Sequence, residues 1–196
     1  ALTASGNVVT WGRDDYGIAD IPVDLENIID ISAGAFHTLA LTSTGEVIAW
    51  GSNNYGQTDV PVELNDVVAI AGGYYHSLAL TSSGEVVSWG SYSNDSPQID
   101  VPSDLDNVVA IATGIHHSLA LTASANVVTW GRDDYVGDVP PNLENVVDIS
   151  AGDDFCVALT ASGNVVTWGR DDYGIADIPV DLENIIDISA GAFHTL

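Results

Sequence analysis

The stretch ALTSSGEVVSWG, Ala79–Gly90, with His76, Ser77 and Leu78 before it, reads as one β-hairpin. A strand that alternates large and small residues runs into a turn on Ser83 and Gly84. A second strand then ends on Trp89 and Gly90. The same hairpin returns as ALTASGNVVTWG at Ala1, ALTSTGEVIAWG at Ala40, ALTASANVVTWG at Ala120 and ALTASGNVVTWG at Ala158. Recurrence at a period of about 39 residues marks a repeat architecture, in which each unit buries its faces against its neighbours. The repeats run 1–39, 40–78, 79–119, 120–157 and 158–196, as one array.

The pattern predicts three strands per repeat. In the second repeat and its continuation they are Val67–Ala71, His76–Thr81 and Val86–Trp89. The second face of each strand carries small residues rather than charges. Such a sheet is expected to be buried on both sides, stacking bulky face on small face. The fold class is therefore all-β, with propeller-type blades of three strands or an open superhelical array of the same units. Gly6, Gly45, Gly84 and Gly163 stand where the hairpin turn requires positive φ, and Ala125 replaces them at a cost of about 1 kcal/mol. An Asp two residues before a recurring Pro, as in Asp59-Val60-Pro61, is expected to accept backbone N–H groups in a turn. The length changes between repeats fall between the Trp and this Pro, which makes that segment a surface loop.

Charge excludes some partners. Twenty-eight acidic residues face three Arg and no Lys, for a net charge of −25. That field repels phosphate backbones and anionic lipid, so neither nucleic acid binding nor membrane insertion is expected. No apolar run is long enough for a membrane-spanning helix. The acidic surface points to an extracellular or cell-surface setting. Cys156 is the one cysteine and replaces the small residues Thr38, Ser77, Ser118 and Thr195 of the other repeats, so a small buried side chain is expected there.

Recurring side chains are read first as architecture. Trp11, Trp50, Trp89, Trp130 and Trp168 share one repeat position, and burying each is worth up to about 4–6 kcal/mol. His37, His76, His117 and His194 share another, where Phe155 stands in the fourth repeat. A position that accepts Phe serves packing rather than catalysis, and no nucleophile–base pair can be built from recurring residues. No catalytic residue, metal ligand set or cofactor is expected. The pairs Asp14-Asp15, Asp133-Asp134 and Asp171-Asp172, each after an Arg, leave weak Ca²⁺ binding open beside a solvated loop or a local ion pair, since known calcium-loop spacings are missing. Asn94 heads the one glycosylation sequon, in the longest loop, with Pro97 close behind.

The loop before the His varies most: Phe36, then Tyr74 and Tyr75, Ile115 and His116, Asp153 and Asp154, and Phe193. Holding one repeat position, these loops should emerge on one rim. Variable aromatics on a regular scaffold suit protein binding, and packing between neighbouring repeats is the alternative.

The pattern V-x-x-W-G-x-x-x-Y-G-x-x-x-V-P-x-x-L-x-x-V-V-x-I-A-x-G-x-x-H-S-L-A-L-T, best shown by Val47–Thr81, resembles the regulator of chromosome condensation repeat. The short repeat, with Tyr55–Pro61 reading YGQTDVP, looks most like the bacterial type that includes β-lactamase inhibitor protein II. The resemblance covers the whole chain and implies a seven-bladed β-propeller. Five repeats depart from that number, and residues 158–196 repeat residues 1–39 without a change. A piece of a longer tandem chain is therefore expected. Two functional readings follow. One is a non-enzymatic extracellular structural protein that forms or decorates an extended array or fibre by self-association. The other is a protein-binding propeller, for example an inhibitor of an extracellular enzyme, that uses the rim before the His.

Overall fold

The computed structural model describes residues 1–12, 14–90, 97–132, 136–170, 174, 177–179 and 181–196. Among these residues, twelve strands form four three-stranded antiparallel sheets. They are β1 Ile28–Ala33, β2 His37–Thr42 and β3 Val47–Gly51; β4 Val67–Gly72, β5 Ser77–Thr81 and β6 Val86–Trp89; β7 Val108–Thr113, β8 His117–Thr122 and β9 Val127–Gly131; and β10 Val146–Ala151, β11 Phe155–Thr160 and β12 Val165–Gly169. A 3₁₀ turn, Pro97–Ile99, precedes β7. The chain divides into two compact units, Ala1–Asp95 with β1–β6 and Ser96–Leu196 with β7–β12.

Register corrects the expected face pattern. Ala79 pairs with Ile70 and Val87, and Ser77 with Trp89, so these residues share one face. Leu78 pairs with Ala71 and Ser88 on the other. Neither face is uniformly bulky. One carries a central ridge of leucines between small neighbours, and the other carries a central trough of Ser and Ala between Ile and Trp. In the first unit the ridge Leu39 and Leu41 of β2 packs on Val67, Ile70, Ala79 and Trp89 of the next sheet. In the second unit Leu119 and Leu121 meet Ile149, Cys156 and Ala158 in the same way. Ridge into trough fills the space between sheets, and each fully buried Leu contributes about 1.5–3 kcal/mol.

Each first strand carries a bulge after its first residue, as between Val67 and Ala69. The extra residue, Val68, is turned out and is 53% exposed. An Asn or Asp with positive φ precedes every such strand: Asn27, Asp66, Asn107 and Asn145. These side chains tolerate the left-handed region that the bend demands. The hairpin turn keeps its expected conformation even at Ala125, with φ 63°. Asp59 accepts the Asn53 side-chain amide at 2.7 Å rather than a backbone N–H.

Two architectural expectations fail near the chain ends. Trp11 is 79% exposed, and His194 is exposed as well. Trp50, Trp89 and Trp130 each reach a carbonyl that lies 32 residues earlier, at Ile18, Gln57 and Gln98.

Candidate functional site

The loops before β2 and β5 are clamped from both sides. Gly34 N–H donates to the His37 carbonyl at 2.9 Å and closes a tight turn. Ala35 N–H donates to the Gly73 carbonyl of the next loop at 3.1 Å, and Ser52 N–H donates to the Phe36 carbonyl at 2.8 Å. A Cβ on Gly34 would run into the His37 ring and the Gly73 carbonyl, so glycine is required for this approach.

The clamped loops present a connected set of rings in the first unit. Tyr16 meets Phe36 edge-on at 4.9 Å, and Phe36 meets Tyr74 at 4.9 Å and Tyr75 at 6.3 Å. Tyr74 meets Tyr75 at 4.5 Å, and Tyr75 meets Tyr55 at 4.9 Å. Four of these five contacts are edge-to-face, the arrangement that the ring quadrupole favours. Tyr16 is 46% exposed, and the other four rings are half-buried. The sequence reading placed Phe36, Tyr74 and Tyr75 on this rim and missed Tyr16 and Tyr55. The signal was there: both stand in a Tyr-Gly pair that recurs with the period of the repeat.

The second unit carries a different rim. Ile115 and His116 are half-buried, as are Asp153 and Asp154. Ile115 N–H donates to the Asp153 carbonyl at 3.1 Å, and Asp153 N–H to the Ala192 carbonyl at 3.2 Å. Arg170 approaches Asp154 at 3.8 Å. Burial lowers the His116 pKa, Arg132 lowers it further, and Asp154 opposes both. Burial raises the Asp153 carboxyl, with the Asp154 charge adding to it. Phe193 is 55% exposed.

Beneath the aromatic rim lies a buried polar relay. Ser77 Oγ donates its one proton to the Gln57 carbonyl at 2.9 Å. His37 Nε2, 2.9 Å from the same Oγ, must therefore be the donor of that pair, which fixes the tautomer. Trp89 Nε1 donates to the same Gln57 carbonyl at 3.0 Å. Ser118 and Trp130 share the Gln98 carbonyl in the same way, each at 3.0 Å. His76 is fully buried beside Ser77 in the sequence. Among the described residues the relay is interrupted in the second unit. Cys156 stands where Ser77 stands, and His117, fully buried, finds no well-aligned partner for either ring nitrogen, the Phe155 backbone alone lying close enough to favour its charged form. Trp168, half-buried, has no partner for Nε1 among the described residues.

Restoring the hydroxyl tests this reading. Cys156→Ser is expected to raise stability by about 1 kcal/mol in urea titration, because a buried unpaired donor costs about 1–3 kcal/mol and the lost thiol packing returns part of it. Cys156→Ala, which supplies no acceptor, is expected to be less stable than wild type. A Ser variant no more stable than the Ala variant would show that His117 gains nothing from an oxygen at that place.

Asn94 lies outside the described residues, as do Arg13, Asp133, Asp134, Asp171 and Asp172. Among the described residues no three His, Cys, Asp or Glu side chains are grouped to hold a metal ion. No helix among them is long and apolar enough to cross a membrane.

Within each unit, three-stranded sheets packed ridge into trough, with clamped loops before the second strand, define a repeat of the blade type. The model of the regulator of chromosome condensation (RCC1) repeat matches residues 28–57, 67–96, 108–135 and 146–175, more than half of the chain. The chain belongs to this family. No curated protein matches it by sequence. Among solved structures it is similar to Prp20p of Saccharomyces cerevisiae, reported with its binding properties to Gsp1p and histones, at 25% identity and TM-score 0.70. That match covers 87% of this chain and 54% of Prp20p. Human WBSCR16 is similar at 26% identity and TM-score 0.65, over 84% of this chain and 52% of that one. The ectodomain of the Physcomitrella patens receptor kinase CR4 shares the fold at 21% identity and TM-score 0.71, over 86% and 49%. The chain thus spans about half the length of these structures. Its fold is of a protein-binding kind.

Proposed function

We propose that this chain is a non-enzymatic protein-binding module that engages its partner through the aromatic rim of residues 1–95. The contact chain of Tyr16, Phe36, Tyr74, Tyr75 and Tyr55 carries the reading. These rings stand on loops, outside the strand core, and keep part of their surface in water. Tyr-rich patches supply large contact area at low entropic cost and dominate binding hot spots. A photo-crosslinking residue at position 74 is expected to capture a discrete protein from an extract of the source organism. The same residue at Val62, 96% exposed on the same unit, is expected to capture none. Equal capture at the two positions would remove the rim from the account.

A second reading rests on the identity of residues 1–39 with residues 158–196. Near-identical units that stack ridge into trough are suited to self-association into an extended extracellular array. Electron microscopy of the purified chain separates the two readings. Long polymers support the array, and discrete particles leave the binding module.

A further inference from the structure

We infer that the partner segment seated on the aromatic rim is basic, and that it presents Arg or Lys side chains to the tyrosine rings. This rests on the reading of the rim as a binding surface and adds the chemistry of its occupant. Three observations carry it. Four of the five connected rings are tyrosines, whose electron-rich faces attract cations and whose hydroxyls accept hydrogen bonds. The cluster keeps part of its surface in water, with Tyr16 46% exposed and the other rings half-buried. The surroundings are acidic. Asp14 and Asp15, both exposed, stand directly before Tyr16. Arg13 is the one Lys or Arg before residue 96, and the chain as a whole carries a net charge of −25. His37 and His76 of this unit are fully buried and take no part in its surface charge.

The second unit supplies the contrast. Its corresponding loops hold Ile115, His116, Asp153 and Asp154, and its Arg170 is committed to Asp154. The connected ring cluster therefore belongs to the first unit alone among the described residues. An acidic or phosphorylated partner would meet the like charge of Asp14, Asp15 and the chain's net −25, at a cost that falls with salt. A wholly apolar segment would forgo both the hydroxyls and the field.

Three fluorescent nine-residue peptides on one Gly-Ser framework test the inference. Their variable positions are all Arg, all Gln or all Glu, and binding to the 196-residue chain is read by anisotropy at several salt concentrations. The Arg peptide is expected to bind at least about tenfold tighter than the Gln peptide, and the Glu peptide is expected to show no binding. Tyr74→Ala with Tyr75→Ala leaves the net charge unchanged and is expected to weaken the Arg peptide about tenfold at fixed salt. Tyr74→Leu, which keeps the bulk and removes the π face, guards against a folding defect and is expected to weaken it in the same direction. Binding of the Arg peptide that ignores ring removal and vanishes with salt would assign the effect to the diffuse acidic field and overturn the inference. Ring-dependent binding of the Gln peptide equal to that of the Arg peptide would overturn it too, while leaving the rim as a binding surface. Ring-independent behaviour of all three peptides would overturn both.

Discussion

Trp89→Ala is expected to destabilise the protein by about 3–5 kcal/mol, whereas Trp11→Ala, at the same repeat position, is expected to change stability by no more than about 0.5 kcal/mol. Trp89 is buried against Leu39 and Leu41 and donates Nε1 to the Gln57 carbonyl at 3.0 Å. Its removal leaves a cavity between two sheets and takes a donor from a carbonyl that also serves Ser77. Trp11 is 79% exposed and has no such environment. Trp89→Phe separates the two contributions. It keeps most of the packing and loses the N–H, so about 1–2 kcal/mol of the total is expected to remain as its cost. Urea unfolding followed by circular dichroism measures all three. A Trp11→Ala loss comparable to that of Trp89→Ala would mean that the exposure of Trp11 misrepresents its packing.

That contrast marks what the sequence made legible. Period-two alternation of large and small residues located strands such as Val86–Trp89 correctly, because successive side chains of a strand point to opposite faces. The turn glycines and Ala125 were legible because positive φ has few solutions. The division of each sheet into ridge and trough was not, because it depends on which residues lie opposite one another across three strands. Ile70 joins the Ala79 face only because a bulge at Val68 shifts the register by one. The relay through Gln57 and Gln98 escaped notice for another reason. Their backbone carbonyls do the accepting, and a carbonyl leaves no trace in residue identity. The rim was legible as a place, since one repeat position fixes it. Its connected rings were not, because Tyr16 and Tyr55 come from a separate loop about twenty residues before Phe36 and Tyr75.

Acidification is expected to destabilise the protein across the range from pH 6.5 down to about 4, through His37 and His117. Burial lowers both pKa values to about 4, against 6.5 in the unfolded chain. In that window the unfolded state binds a proton at each histidine that the folded state refuses. Stability therefore rises with pH, with a slope of about 1.4 kcal/mol per pH unit for each histidine well inside the window. Above pH 6.5 both states are neutral there and the slope vanishes. Over the full window each histidine accounts for about 3 kcal/mol. Carboxylates oppose this at the acid end. Burial raises Asp148 and Asp153, so the folded state takes up their protons first as pH falls, and protonation also relieves the repulsion behind the net charge of −25. A difference measurement removes that background. His117→Phe installs the residue that holds this position in β11, where Phe155 is buried in a hydrophobic cluster. Because His117 has no well-aligned hydrogen bond to lose, the variant is expected to fold and to be at least as stable as wild type at neutral pH. The gap between variant and wild type is expected to widen by about 1.4 kcal/mol per unit between pH 6 and pH 4.5 and to stay constant above pH 7. His116 titrates beside it in both proteins, and Cys156, whose thiol burial pushes up, stays protonated throughout. A gap that does not change with pH would show that the folded protein lets His117 take its proton, by opening locally between the second unit's sheets.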